Sequence, residues 1–275
     1  MWKILQMDKD KSARNLILRL TLVLVFALTF SRSAEIDAQE VNAKMVGGSF
    51  EPSAAGYKVA YISTPDYFCS GALVGTRAIL TAAHCVVGGP SASEFAVYVG
   101  RDWYQVESTW YHPKYDHNQT PYQSAKYDLG MIILSKSVTS TKPLSILSGR
   151  PLRRGARLLI AGYGTNERSN DPSRSFIDNF KVGVANVVKV DGRQIFSSYR
   201  SNGASTCAGD SGGPASVSYG RSSIALAGIV SAGINTVTND NRCELREDGS
   251  SIYVDLQSSS SKAFLRAFKG LRYVR

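Results

Sequence analysis

Histidine and cysteine are scarce in this 275-residue chain, with three of the first and four of the second. The cysteines form no Cys-x-x-Cys pair and the histidines no cluster, so neither a metal site nor any other cofactor is expected. Long apolar runs are also lacking. The greasy stretch near the start, residues 20–30, has eleven residues, short of the about 20 that a membrane-spanning helix needs. Internal repeats and low-complexity tracts are absent, which excludes solenoid and fibrous architectures. Helical periodicity is nearly missing too. Only "KAFLRAFKGL" (262–271), after possible caps at Ser259, Ser260 and Ser261, spaces Phe264, Leu265 and Phe268 as one helix face requires.

What remains is the composition of an ordinary globular protein, 43% hydrophobic and 20% charged. Lys3, Lys9, Lys11, Arg14 and Arg19 precede the apolar run, and small residues follow it. That order matches a secretory signal, residues 1–33 with cleavage near Ser33 or as late as Ala38; an uncleaved signal anchor is the alternative. A secreted protein, extracellular or periplasmic, is expected. Export makes disulfides the default for Cys69, Cys85, Cys207 and Cys243. Four cysteines allow three pairings, of which 69 with 85 and 207 with 243 closes the short loops. The net charge is +10, with seven basic and five acidic residues in the first 44, leaving 25 against 17 beyond them. Those charges are scattered apart from "RPLRRGAR" (150–157). They read as a solvated face rather than a nucleic-acid interface, so no nucleic acid is expected as a partner.

From residue 45 onward short segments rich in Val, Ile, Tyr and Leu alternate with turn residues. One group covers 57–63, 71–83, 95–100, 104–111 and 129–134; a second covers 156–164, 180–190, 223–234 and 251–256. Several are almost continuously apolar, as suits strands in closed barrels. The polar stretch 165–175 reads as a loop, and a midpoint near 140–151 divides the chain into two β units.

Three local motifs carry chemistry. "CAGDSGGP" (207–214) sets Asp210 beside Ser211 among glycines; it is either a plain surface turn or a nucleophile on a strained loop. A serine hydroxyl needs a base to take its proton, and that base needs a third group to orient it. His112 and His117 lie in a polar, proline-bearing loop and are expected to be exposed. His84 is different, lying in "ILTAAHCVV" among apolar and small residues, while Asp128 stands at the lip of the apolar run "YDLGMIIL".

"LTAAHC", "YDLGMIIL" and "CAGDSGGP", in that order, resemble the signature segments of the trypsin/chymotrypsin-like serine endopeptidases. The likeness runs from Met45 to about residue 270. It implies an all-β fold of two six-stranded antiparallel Greek-key β-barrels packed together, with a C-terminal α-helix. The peptidase domain would cover 45–272, its N-terminal barrel about 45–148 and its C-terminal barrel about 149–275. By the same resemblance Ser211 is the nucleophile, His84 the general base and Asp128 its orienting acid. The N–H groups of Gly209 and Ser211 form the oxyanion hole, and Ser231 supports Asp128. Cys69–Cys85 ties the His84 loop, and Cys207–Cys243 frames the specificity pocket.

The resemblance also implies a zymogen. Residues 34–44 form an activation propeptide, and cleavage after Lys44 frees an ammonium on Met45 that pairs with a buried Asp210. Met45 departs from the Ile or Val usual there. Ser205, six residues before Ser211, falls at the base of the primary pocket, with Gly233 and Ser251 on its walls and Ser231 also among the substrate-binding residues. A neutral base points to cleavage after large apolar or aromatic residues, because a substrate cation would find no counter-charge. Asp240, Glu244, Glu247 or Asp248, in the long stretch 234–250, could alter that preference, and Ala232 replaces the usual Trp. The expected partners are protein or peptide substrates and a separate activating protease of basic specificity, acting on a monomer. The rival reading is a catalytically silent homologue that binds or inhibits. Asn118 in "NQT" is a glycosylation sequon in a eukaryotic secretory route.

Overall fold

The computed structural model describes residues 49–50, 58–149, 151–164, 180–198, 203–219, 223–233, 236–237, 243–244 and 250–275. The expected leader at 1–44, Met45, the 165–175 loop, Asp240, Glu247 and Asp248 lie outside the described residues, as does the side chain of Glu244.

After the short strand β1 (Ser49–Phe50), six strands close a barrel: β2 (Val59–Ser63), β3 (Phe68–Leu73), β4 (Ala78–Thr81), β5 (Ala96–Val99), β6 (Asp102–Tyr111) and β7 (Gly130–Leu134). Their order around the barrel is β2-β3-β4-β7-β6-β5. Burial follows position. In β6 it alternates with exposure over part of the strand, as a one-sided strand should, whereas every residue of β4 is buried. Ile62, Leu73, Ile79, Val97, Ile132 and Leu134 fill the interior.

The second sheet gathers β8 (Ser145–Leu147), β9 (Arg157–Gly162), β10 (Lys181–Val190), β11 (Gln194–Ser198), β12 (Pro214–Tyr219), β13 (Ser223–Gly233), β16 (Ser250–Asp255) and β17 (Tyr273–Val274). The run β12-β9-β10-β11-β16-β13 returns to β12 and so closes a second six-stranded antiparallel barrel. Leu158, Ile160, Val187, Ile195, Val230 and Tyr253 pack inside it. Three short strands extend this sheet: β1 beside β10, β8 parallel to β13, and β17 parallel to β8. A small hairpin pairs β14 (Thr236–Val237) with β15 (Cys243–Glu244). A further cluster joins Leu80 and Met131 of the first barrel to Leu226, Ile229 and Val254 of the second, with Phe264 and Leu265 of the last helix.

The fold class is as expected, with corrections in detail. The C-terminal helix α2 spans Ser259–Leu265, following a one-turn helix α1 (Pro121–Ser124). Its N-cap is Ser258, one residue before the serines expected to cap it, and Ser258 Oγ accepts the Ser261 N–H at 3.0 Å. The single run 71–83 resolves into β3, β4 and a 3₁₀ turn, Ala83–Cys85. His112, expected in solvent, is only 4% exposed. Its Nδ1 accepts the Lys114 N–H, its Nε2 meets Ser260 Oγ at 3.0 Å, and its ring packs between Tyr127 and Phe264. His117 is exposed, as expected.

Candidate active site

His84 sits on the 3₁₀ turn that follows β4, and a disulfide from Cys85 to Cys69 anchors that turn to β3. Asp128 precedes β7 and is 2% exposed. Its Oδ1 accepts the His84 backbone N–H at 2.9 Å, and its Oδ2 lies 2.8 Å from His84 Nδ1. Ser231, from β13 of the other barrel, donates its Oγ–H to the same Oδ2 at 2.6 Å. The carboxylate is therefore gripped by one turn of the first barrel and one strand of the second. Partial burial pulls the imidazole pKa down, but the Asp128 charge and hydrogen bond win, and the net shift is upward. With Nδ1 occupied, Nε2 is the ring nitrogen left to face a reacting group.

Ser211 lies in the turn before β12. Its carbonyl accepts the Ser70 N–H at 2.8 Å and is 3.8 Å from the sulfur of Cys85, the neighbour of His84. On its other side the Gly212 N–H donates to Val230 O at 2.8 Å. Val230 adjoins Ser231, so both flanks of the serine are tied to segments that hold the His84–Asp128 pair. Ser70 is the central strut: its Oγ donates to Gly209 O at 2.8 Å and accepts the Tyr163 N–H at 2.9 Å. Gly209 and Gly212 have φ of +88° and +81°, a region that L residues rarely adopt. A Cβ at Gly209 would lie 2.8 Å from Phe68 Cζ, and one at Gly212 would strike Thr81 Oγ1 and Ser70 O. Only glycine fits this turn.

Asp210 points inward and is 3% exposed. Its Oδ2 accepts the Cys207 N–H at 2.9 Å and its Oδ1 the Gly164 N–H at 2.8 Å. Burial pushes its carboxyl pKa up against the opposing pull of Lys181 and these two N–H groups. Ser205 and Ser251 are buried with their hydroxyls 3.1 Å apart, and Ser251 Oγ also accepts from Thr206 N and Oγ1. Gly233 is the Cα partner of Ser251 across β13 and β16. Ser205, Ser251 and Gly233 are thus adjacent, with side-chain hydroxyls as their polar groups, while the Ser231 hydroxyl is turned to Asp128. Cys207 is disulfide-bonded; the side chain of Cys243, like all of Lys44 and Met45, lies outside the described residues.

Cys69, His84 and Cys85 bring ligand-type atoms within 4.8 Å of one another. They do not suit a metal, because the two sulfurs are joined and His84 Nδ1 is engaged by Asp128. Two contributors escape sequence reasoning. Ser70 shows no local signal, whereas Lys181 could have been noticed as a lone cation in the apolar run "FKVGV".

The Asp128–His84 pair and the glycine turn that carries Ser211 are linked through Ser70, Cys85 and the Val230–Ser231 segment, an arrangement that fits a serine endopeptidase. The chain belongs to the Trypsin family, whose profile matches residues 45–249. It is 30% identical over 222 residues to kallikrein 1-related peptidase b21 of Mus musculus, covering 70% of this chain and 82% of that one. To a trypsin of Simulium vittatum it is 29% identical over 218 residues, covering 70% and 84%. Among solved structures it is similar to neuropsin, a serine protease expressed in the limbic system of mouse brain. That likeness has a TM-score of 0.59 and 22% identity over 79% of this chain and 96% of that one, and it speaks to the fold.

Proposed function

We propose that this serine endopeptidase is secreted as a zymogen, cut after Lys44, and cleaves proteins or peptides after large apolar or aromatic residues. The observation that carries the reading is the grip of His84 Nδ1 and Ser231 Oγ on Asp128 Oδ2, at 2.8 and 2.6 Å. Ser211 Oγ attacks the scissile carbonyl and gives its proton to His84 Nε2. Asp128 keeps the Nδ1 proton in place and stabilises the imidazolium that forms. The N–H groups of Gly209 and Ser211 receive the charge that develops on the carbonyl oxygen. His84 returns its proton to the leaving amine, and water then releases the acyl group by the reverse sequence.

Cleavage after Lys44 frees the α-ammonium of Met45, which joins Asp210 and relieves the cost of a buried carboxylate. The hydroxyl-lined base at Ser205 and Ser251 favours apolar side chains, so a different, basic-specific protease makes the activating cut. A peptide library digested by the Lys44-cut protein tests this. Cleavage concentrated after Phe, Tyr, Leu or Met is expected. Cleavage after Lys or Arg, or rapid self-cleavage of the precursor at Lys44, would overturn the specificity.

A further inference from the structure

Lys181 is a buried cation that the chemistry above does not use. It opens β10, is 2% exposed, and donates from Nζ to Gly164 O at 3.3 Å. The N–H of the same Gly164 donates to Asp210 Oδ1 at 2.8 Å. One residue thus separates the ammonium from the carboxylate. The β9–β10 register sets Lys181 opposite Gly162. A Cβ at Gly162 or Gly164 would collide with the Asp210 carboxylate, so glycines at the end of β9 leave the room in which the two charges approach. A lysine this buried is stable as a cation only near an anion. Its charge opposes the rise that burial forces on the Asp210 carboxyl without cancelling it. Asp210 is turned inward beside it, with its carboxylate held by the Gly164 and Cys207 N–H groups.

We propose that Lys181 is a positioning residue: an internal counter-cation that holds Asp210 inward before cleavage and shapes the Gly209–Ser211 turn in the uncut chain. This rests on the roles given above to Ser211 and to the cut after Lys44. Cleavage then raises an existing activity, by completing a compensation that Lys181 begins, rather than creating activity from none.

The test is the rate at which a fluorophosphonate labels Ser211 in uncut and cut protein. Lys44→Gln keeps the chain whole and should label within about tenfold of the cut wild type, a difference of at most about 1.4 kcal/mol. Adding Lys181→Met should slow the uncut chain by about a hundredfold or more, while Lys181→Arg, which keeps the charge, restores labelling. In the Lys44-cut enzyme, where the Met45 ammonium is present, Lys181→Met should stay within about threefold of wild type; a merely structural lysine would affect both forms. Should the Met variant lack a cooperative melt, Lys181→Gln takes its place. An inert Lys44→Gln chain beside a reactive cut enzyme overturns the lysine's role and leaves the protease reading standing. Equal losses in both forms, or an Arg variant no faster than Met, also overturn it. An unreactive cut wild type overturns the protease reading itself.

Discussion

Gly209→Ala separates the geometry of the turn from the stability of the fold. Gly209 holds φ +88°, where an L residue costs about 1–2 kcal/mol. The new methyl would lie 2.8 Å from Phe68 Cζ, closer still to Cε2, and 3.1 Å from Gly164 Cα. Neither neighbour retreats freely, because Phe68 stacks on Tyr61 at 5.5 Å and Gly164 is bonded to Asp210. Overpacking of this kind adds about 1–3 kcal/mol, for a total strain of about 2–5 kcal/mol. The soft response is rotation of the peptide before residue 209, which swings its N–H off the oxyanion position. Losing one such donor costs about 2.7–4 kcal/mol in the transition state, or about 10²–10³ in kcat. Steady-state kinetics on a peptide chosen from the library should show that fall with KM within about threefold, since ground-state binding does not use this donor. The melting temperature should fall by about 2–4 °C for each kcal/mol of strain that remains unrelieved. An alanine enzyme with kcat within about threefold of wild type would refute both the strain and the donor's role.

Asp128→Asn should leave the backbone in place but hold His84 in the wrong tautomer, lowering kcat by about 10⁴ as in related triads. Because Asp128 holds the His84 pKa above its ordinary value, activity, which needs neutral imidazole, should rise with pH through a midpoint above 6.5. The stability from this pair is full below 6.5 and disappears as pH rises through the raised value, so a titration following His84 should show its midpoint fall in the Asn variant. Replacing Cys69 and Cys85 by serine opens a loop with a sequence separation of 16 and should cost about 3 kcal/mol in denaturant melts, with activity lost as the His84 turn loosens. Ser205→Asp places a carboxylate beside Ser251 and should raise cleavage after Lys or Arg by about tenfold or more relative to Phe, read from competing peptides. An unchanged ratio would mean that residue 205 does not meet the substrate.

The parts of the site that could be read from the sequence are those in which chemistry and backbone constraint share a few positions. The "CAGDSGGP" turn needs glycine at 209 and 212 for reasons local to it, and the His84 and Asp128 segments each combine a reactive group with an apolar run. Contacts across the fold left no such mark. Ser70 bonds Gly209 across 139 positions and Ser260 meets His112 across 148, so neither the strut nor the burial of that histidine is legible nearby. Strand β11 gives no signal because "QIFSS" lacks an apolar alternation, and in β12 "PASVSY" alternates Ala215, Val217 and Tyr219 with serines while its burial does not follow that alternation. Their serines are accommodated by local chemistry instead: Ser197 pairs with Tyr253 at 2.9 Å, and Ser216 is buried in the sheet. The β8 strand is only three residues long and joins its sheet by pairing with distant chain, so propensity alone could not declare it. Lys181 is the instructive omission, since a cation in an apolar strand signals a buried anion even when its partner is far along the chain.

The most direct test of the shared proton path is the site and rate of covalent capture by a fluorophosphonate in the Lys44-cut protein, mapped by peptide mass spectrometry. The account predicts one fast adduct, on Ser211, abolished by His84→Ala. An adduct on another serine, or labelling of Ser211 as fast without the imidazole as with it, would contradict it.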